Sequence, residues 1–128
     1  LTALRAVFMA HVDFVVEQPG VPRVIFQELQ HPEDTALKAR VRVLMQDYRS
    51  LVTRLLLQAQ AAGLLAPGTD LQASAVLFIG SVQGLVMQSL LSGQVGAIRT
   101  LAPAVFDLFQ HAVAAPTNPT RRPPETTE

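Results

Sequence analysis

Hydrophobic positions in this chain recur every three or four residues from Leu4 to Val113, the spacing that lines them along one stripe of a helix. No alternating run suggests a strand. The pattern predicts an all-α fold, a helical bundle of about five helices. Leu1 to Gln18 forms the first, with an apolar arc of Leu4, Val7, Phe8, Val12, Phe14, Val15 and Val16. Pro19-Gly20 ends it, because the residue before a proline avoids helical angles. Pro22 suits the first turn of a short second helix reaching about Leu29. Pro32 suits the first position of a long third helix, with Glu33 and Asp34 at the positive end of its dipole. That helix runs to Ala62, with Leu37, Val41, Leu44, Tyr48, Leu51, Val52, Leu55, Ala59 and Ala62 on one arc. Gly63 fits the left-handed residue after the helix, with Leu64 folding back toward Ala59.

The fourth segment has a different pattern. Between Asp70 and Arg99 there is no Asp, Glu, Lys, Arg or His. Thr69-Asp70-Leu71-Gln72 has the form of a capping box opening a helix from Leu71 to Leu91. That helix carries two apolar faces. One holds Leu71, Ala75, Phe78, Ile79, Val82, Leu85 and Val86. The other holds Ala73, Val76, Leu77, Gly80, Gly84, Met87 and Leu91. Such a helix is buried from both sides, and in a chain this short one side can belong to another subunit. Gln72, Ser74, Ser81, Gln83, Gln88 and Ser89 interrupt the run, and no cationic or aromatic anchors flank it, which argues against a membrane span. Gly80 and Gly84 share a face and weaken the helix by roughly 1 kcal/mol each against alanine, so another backbone is expected close by. Ala97 to Ala114 forms the last helix, kinked or split at Pro103.

Composition narrows the function classes. The chain has 128 residues, of which 49% are hydrophobic, enough for one domain with a real core. Acids and bases balance at 10 each, without a basic stripe, so the chain is no nucleic-acid binder by itself. It has no cysteine, which removes disulfides and thiolate metal sites. No signal peptide precedes the first helix, and a cytoplasmic location is expected. The chain starts already in helical periodicity, like a piece of something longer. Residues 1–114 form the folded domain. Residues 115–128, rich in Pro, Thr and Arg, are expected to be a disordered tail.

No catalytic constellation emerges. His11, His31 and His111 sit on three different elements, and Glu33 with Asp34 reads as a dipole partner pair. His11 points into the apolar arc of the first helix, and a buried imidazole needs a hydrogen-bond partner. It is either a satisfied core histidine or a polar anchor in a ligand cavity. Tyr48, the one tyrosine, lies on the core arc of the third helix. Neither a cofactor nor a metal is expected.

The segment Ala61-Ala62-Gly63-Leu64-Leu65, the helix start at Asp70 and the small-residue run Gly80-Ser81-Val82-Gln83-Gly84-Leu85 resemble the C-terminal half of a TetR-family transcriptional repressor. Phe14, Pro19 and Phe26-Gln27-Glu28-Leu29 fit the same pattern. The resemblance covers Leu1 to about Val113 and rests on helix order and length. It implies an effector-binding and dimerisation domain whose helix-turn-helix, the part that contacts operator DNA, is absent from this chain. It also implies a homodimer built from the last two long helices, and a small, partly apolar effector held among the first, third and fourth long segments. The inward arcs nominate Phe8, His11, Val12, Leu44, Tyr48, Phe78, Ile79 and Val82 as the effector site. The second face of the fourth helix and the arc of the last nominate Ala73, Val76, Gly80, Gly84, Met87, Val105, Leu108, Phe109 and Ala112 as the dimer interface. A ligand-free dimerisation or scaffold module and a helical-bundle enzyme are the alternatives.

Overall fold

A computed structural model describes residues 1–116. Five helices follow one another: α1 (Thr2–Glu17), α2 (Gly20–Leu29), α3 (Ala36–Ala61), α4 (Leu71–Ser92) and α5 (Ala97–Val113). Among the described residues the sole extended pairing is an isolated bridge between Leu65 and Ala114.

One of these elements begins clearly apart from the sequence expectation, and the others differ in detail. The third helix starts at Ala36, beyond Pro32, because Thr35 caps it. The Thr35 hydroxyl accepts from the Lys38 N–H at 3.1 Å and donates to the Glu28 carboxylate, tying α2 to the start of α3. Glu33 and Asp34 therefore precede the helix. Helix α4 begins at Leu71 as the sequence suggests, with Asp70 in place of Thr69 as the capping residue. The Asp70 carboxylate accepts from the Ala73 N–H at 3.0 Å, while the Thr69 hydroxyl is engaged with the Ala66 carbonyl at 2.6 Å. Pro103 lies inside α5, which stays one helix on both sides of it. The second helix begins at Gly20, which leaves Pro22 in its first turn as the sequence suggests.

The end of α3 follows the expected geometry. Gly63 has φ 72°, Leu64 N–H donates to Ala59 C=O at 3.0 Å, and Gly63 N–H donates to Gln60 C=O at 3.0 Å. Those two bonds are the Schellman pair. The chain leaves α5 along the same corner: Ala66 N–H donates to Val113 C=O at 2.9 Å, and Ala115 N–H to Leu64 C=O at 2.8 Å. Ala115 is thus tied to the domain. The rest of the expected tail, from residue 117, lies outside the described residues.

Helix α4 is the hub, packing against α1, α3 and α5. Phe8, Phe78, Phe106, Leu4, Leu56, Val12, Val52 and Val82 are its fully enclosed neighbours and members. Helices α1 and α5 run antiparallel, with Arg5–Asp107 at 2.8 Å and Asp13–Arg99 at 3.2 Å bridging the two ends of their contact. Both pairs are about half exposed, so they set register more than they add stability. Helix α2 packs on α3, and Pro22 is its one buried residue.

Candidate functional site

The interior polar site is built from α1 and α3. Spacing of three and four residues puts Phe8, His11, Val12 and Val15 on neighbouring positions of one α1 face. Phe8 and Val12 have no exposure, and His11 sits at the margin of that face. Its Nδ1 lies 3.1 Å from the Tyr48 hydroxyl, and the two rings meet edge-on at 5.1 Å. Which group donates depends on the imidazole tautomer. Burial pushes the His11 pKa below its usual value and the Tyr48 pKa up to about 12, so both are neutral at physiological pH. Beyond the Tyr48 ring, at 6.5 Å, lies Phe78 of α4, which also packs on Phe8 at 5.4 Å, Phe109 at 5.5 Å and Phe106 at 6.5 Å.

Phe8, His11, Tyr48 and Phe78 are thus brought into one cluster. Val12, Ile79 and Val82 belong to the same buried core. Leu44 does not join it. It is 59% exposed and lines a groove between α2 and α3. At 100° per residue Leu44 lies roughly 80° from the centre of the buried stripe formed by Val41, Val52, Leu56 and Ala59. The expected arc of α3 was therefore drawn too wide on that side. The interior offers little other polarity. Ser74 and Ser89 are the buried polar residues, and their hydroxyls donate to their own helix at Asp70 and Val86 carbonyls, both at 2.7 Å.

A second candidate surface lies on the opposite side of α4. Every inner-face residue from Ala75 to Val86 named above is buried, with Leu71 half-buried. On the outer face Ala73, Val76, Leu77, Gly80, Met87 and Leu91 are exposed and Gly84 is half-buried. Helix α5 extends this surface with Leu101, Leu108 and Ala112 exposed and Val105 half-buried. Leu91 and Leu108 are the extremes at 80% and 72%. Phe109 is the exception. It is 3% exposed and packs inward on Phe78 and Phe106. The expected single arc of α5 is two adjacent arcs: Ile98, Ala102, Phe106, Phe109 and Val113 face the core, and Leu101, Val105, Leu108 and Ala112 lie roughly 90° away. Leu77, Leu91 and Leu101 belong with the outer surface, and their place in the 3–4 spacing was the signal for them. A methyl group built on Gly80 or Gly84 meets nothing within 4 Å, so no helix of this chain approaches either glycine.

The order and lengths of these helices, with an inner core on α4 and a bare outer face, can be compared with known families. The family described as "Tetracyclin repressor-like, C-terminal domain" matches residues 26–105, well over half of the chain. The chain belongs to this family. The match takes in Tyr48, Phe78 and the outer face of α4, and leaves α1 with His11 outside it. Comparison with curated proteins and with solved structures gives no further match. Membership places the all-α bundle among the C-terminal domains of tetracyclin repressor-like regulators. It also gives α4 a setting. That helix has the length and mean hydropathy to cross a membrane, 22 residues at 1.6. Here its inner face forms the core on three other helices, and its apolar excess lies on the outer face.

Proposed function

We propose that this chain is the effector-binding and dimerisation body of a cytoplasmic TetR-like transcriptional repressor. Two copies associate through the outer faces of α4 and α5. Operator DNA is contacted by a helix-turn-helix outside this chain. The observation that carries the reading is the bare apolar face of Val76, Leu77, Met87, Leu91, Leu101 and Leu108, all 42% or more exposed and carried on two helices that pack on each other. A soluble monomer rarely leaves such a patch uncovered. A two-fold contact is self-complementary, so the four helices meet about one axis.

A small, partly apolar effector would act by binding one arrangement of the helices better than the other, since only differential affinity shifts an equilibrium. His11 and Tyr48 are the polar groups at the core margin that could orient it. The contacts among Phe8, Phe78, Phe106 and Phe109 favour a second reading, a dimerisation module whose interior holds no ligand. Sedimentation equilibrium at micromolar concentration tests what the two readings share: a dimer is expected, and a monomer overturns both. Saturable binding of a small molecule that is weakened by Tyr48→Phe separates them.

A further inference from the structure

One concavity lies away from the aromatic cluster. It is a groove of about 470 Å³ where the end of α1 and α2 face the first half of α3. That volume is within the range of small-molecule sites. Its walls are apolar, formed by Val21, Val24, Ile25, Leu37, Val41 and Leu44. Val24 and Leu44 stand 53% and 59% exposed, so the trough is open. Among the described residues Arg40 is the one charged member of the lining, and no acid shares it. The ion pairs of the described residues engage Arg5, Arg42 and Arg99, and Arg40 is in none of them. A guanidinium beside an apolar trough, without a carboxylate of its own, suits a carboxylate carried on an apolar body.

We propose that this groove binds an amphipathic monocarboxylate, its alkyl or aryl part in the trough and its carboxylate on Arg40. The proposal rests on the reading of the chain as a ligand-binding domain, and names a site apart from the His11–Tyr48 pair and the chemical class it takes. The trough from Leu37 to Leu44 covers about 10 Å of helix at ~1.5 Å per residue, the length of an alkyl chain of roughly eight carbons. Leu44 lies one turn before Tyr48 on α3.

The test is calorimetric titration of the chain with hexanoate, octanoate and decanoate, and with 1-octanol as the uncharged counterpart. Saturable binding at one site per chain is expected. Affinity should rise about fourfold for each methylene the trough buries, and level off once it is full. Octanol should bind at least tenfold more weakly than octanoate. Arg40→Gln should bring octanoate down to the octanol level and leave octanol unchanged. Leu44→Asp should abolish both. Arg40 and Leu44 are exposed, so both variants keep the parent's far-ultraviolet circular dichroism. Octanol binding as tightly as octanoate, or an Arg40→Gln variant without effect, overturns the proposal. No saturable binding also overturns it and leaves the trough to a protein segment. A changed association state in Leu44→Asp overturns it in favour of an interface between copies. Failure of the dimer reading appears in sedimentation of the parent chain, and failure of this proposal in the titrations, so the two are separable.

Discussion

Gly84→Arg separates what α4 does for its own chain from what it does for a second copy. Within one chain the substitution is harmless. A Cβ at position 84 meets nothing within 4 Å, and the residue sits in mid-helix at the edge of the outer face. Arginine is the better helix former there by about 0.8–1 kcal/mol. Against a partner helix the sign reverses. A guanidinium removed from water without a counter-charge costs several kcal/mol, and no acid lies between Asp70 and Arg99 to pair with it. Two-fold symmetry places the substitution in the interface twice. At about 3 kcal/mol each, the dimer loses roughly 6 kcal/mol, some four decades in dissociation constant at ~1.4 kcal/mol per decade. Sedimentation should therefore show the parent as a dimer and the variant as a monomer or an aggregate. Urea unfolding supplies the second readout. The midpoint of a dimer rises with protein concentration, whereas that of a monomer does not. The parent should show this dependence and the soluble variant should lack it. A Gly84→Arg chain that stays dimeric, with a midpoint that still tracks concentration, refutes the placement of the interface.

Other expected outcomes concern the core and its polar pair. Burial holds the His11 pKa down, so as pH falls below about 6.5 the unfolded chain takes up the proton first and stability falls. His11→Gln should flatten the decline between pH 7 and 5 in urea unfolding. Tyr48 behaves in the opposite sense: with its pKa pushed up to about 12, its contribution is intact below pH 10 and is lost as pH rises from there. Tyr48→Phe should remove that alkaline decline and destabilise the chain at neutral pH by about 1 kcal/mol, the net worth of one hydrogen bond. Phe78→Ala removes a ring that contacts four others and should lower the unfolding free energy by roughly 3–5 kcal/mol, read by thermal or urea melts. Gly63→Ala forces a side chain onto φ 72° and should cost about 1–2 kcal/mol in the same assay.

Helix number and order were legible in the sequence because each α-helix here carries its own punctuation. Gly63 after α3 and the acid before α4 mark ends by local chemistry that needs no knowledge of neighbours. The two faces of α4 were legible for a related reason. With every polar strip neutral, the apolar positions divide into sets near 20° and 190° on the helical wheel, and the fold buries the first while leaving the second bare. Boundaries failed where two local signals competed. Pro32 can open a helix, but the Thr35 hydroxyl satisfies the Lys38 N–H and the backbone turns helical only after it.

The candidate site was legible in its members and not in its edges. A wheel fixes the direction in which a side chain leaves its helix, but what lies in that direction depends on helices distant in sequence. Phe109 and Leu108 illustrate the limit: one residue apart on one apolar arc, they differ because α4 stands beside the first, while the second stays 72% exposed among the described residues. Leu44 and Tyr48 make the same point along α3. They are one turn apart, yet Tyr48 meets His11 and Phe78, while Leu44 lines the open groove toward α2 and the end of α1. The groove exists because the apolar arc of α3 outlasts its neighbours. A sequence read one helix at a time holds no signal for that mismatch, whereas Arg40, three residues after Leu37 on the same helix, becomes informative only once the trough beside it is seen.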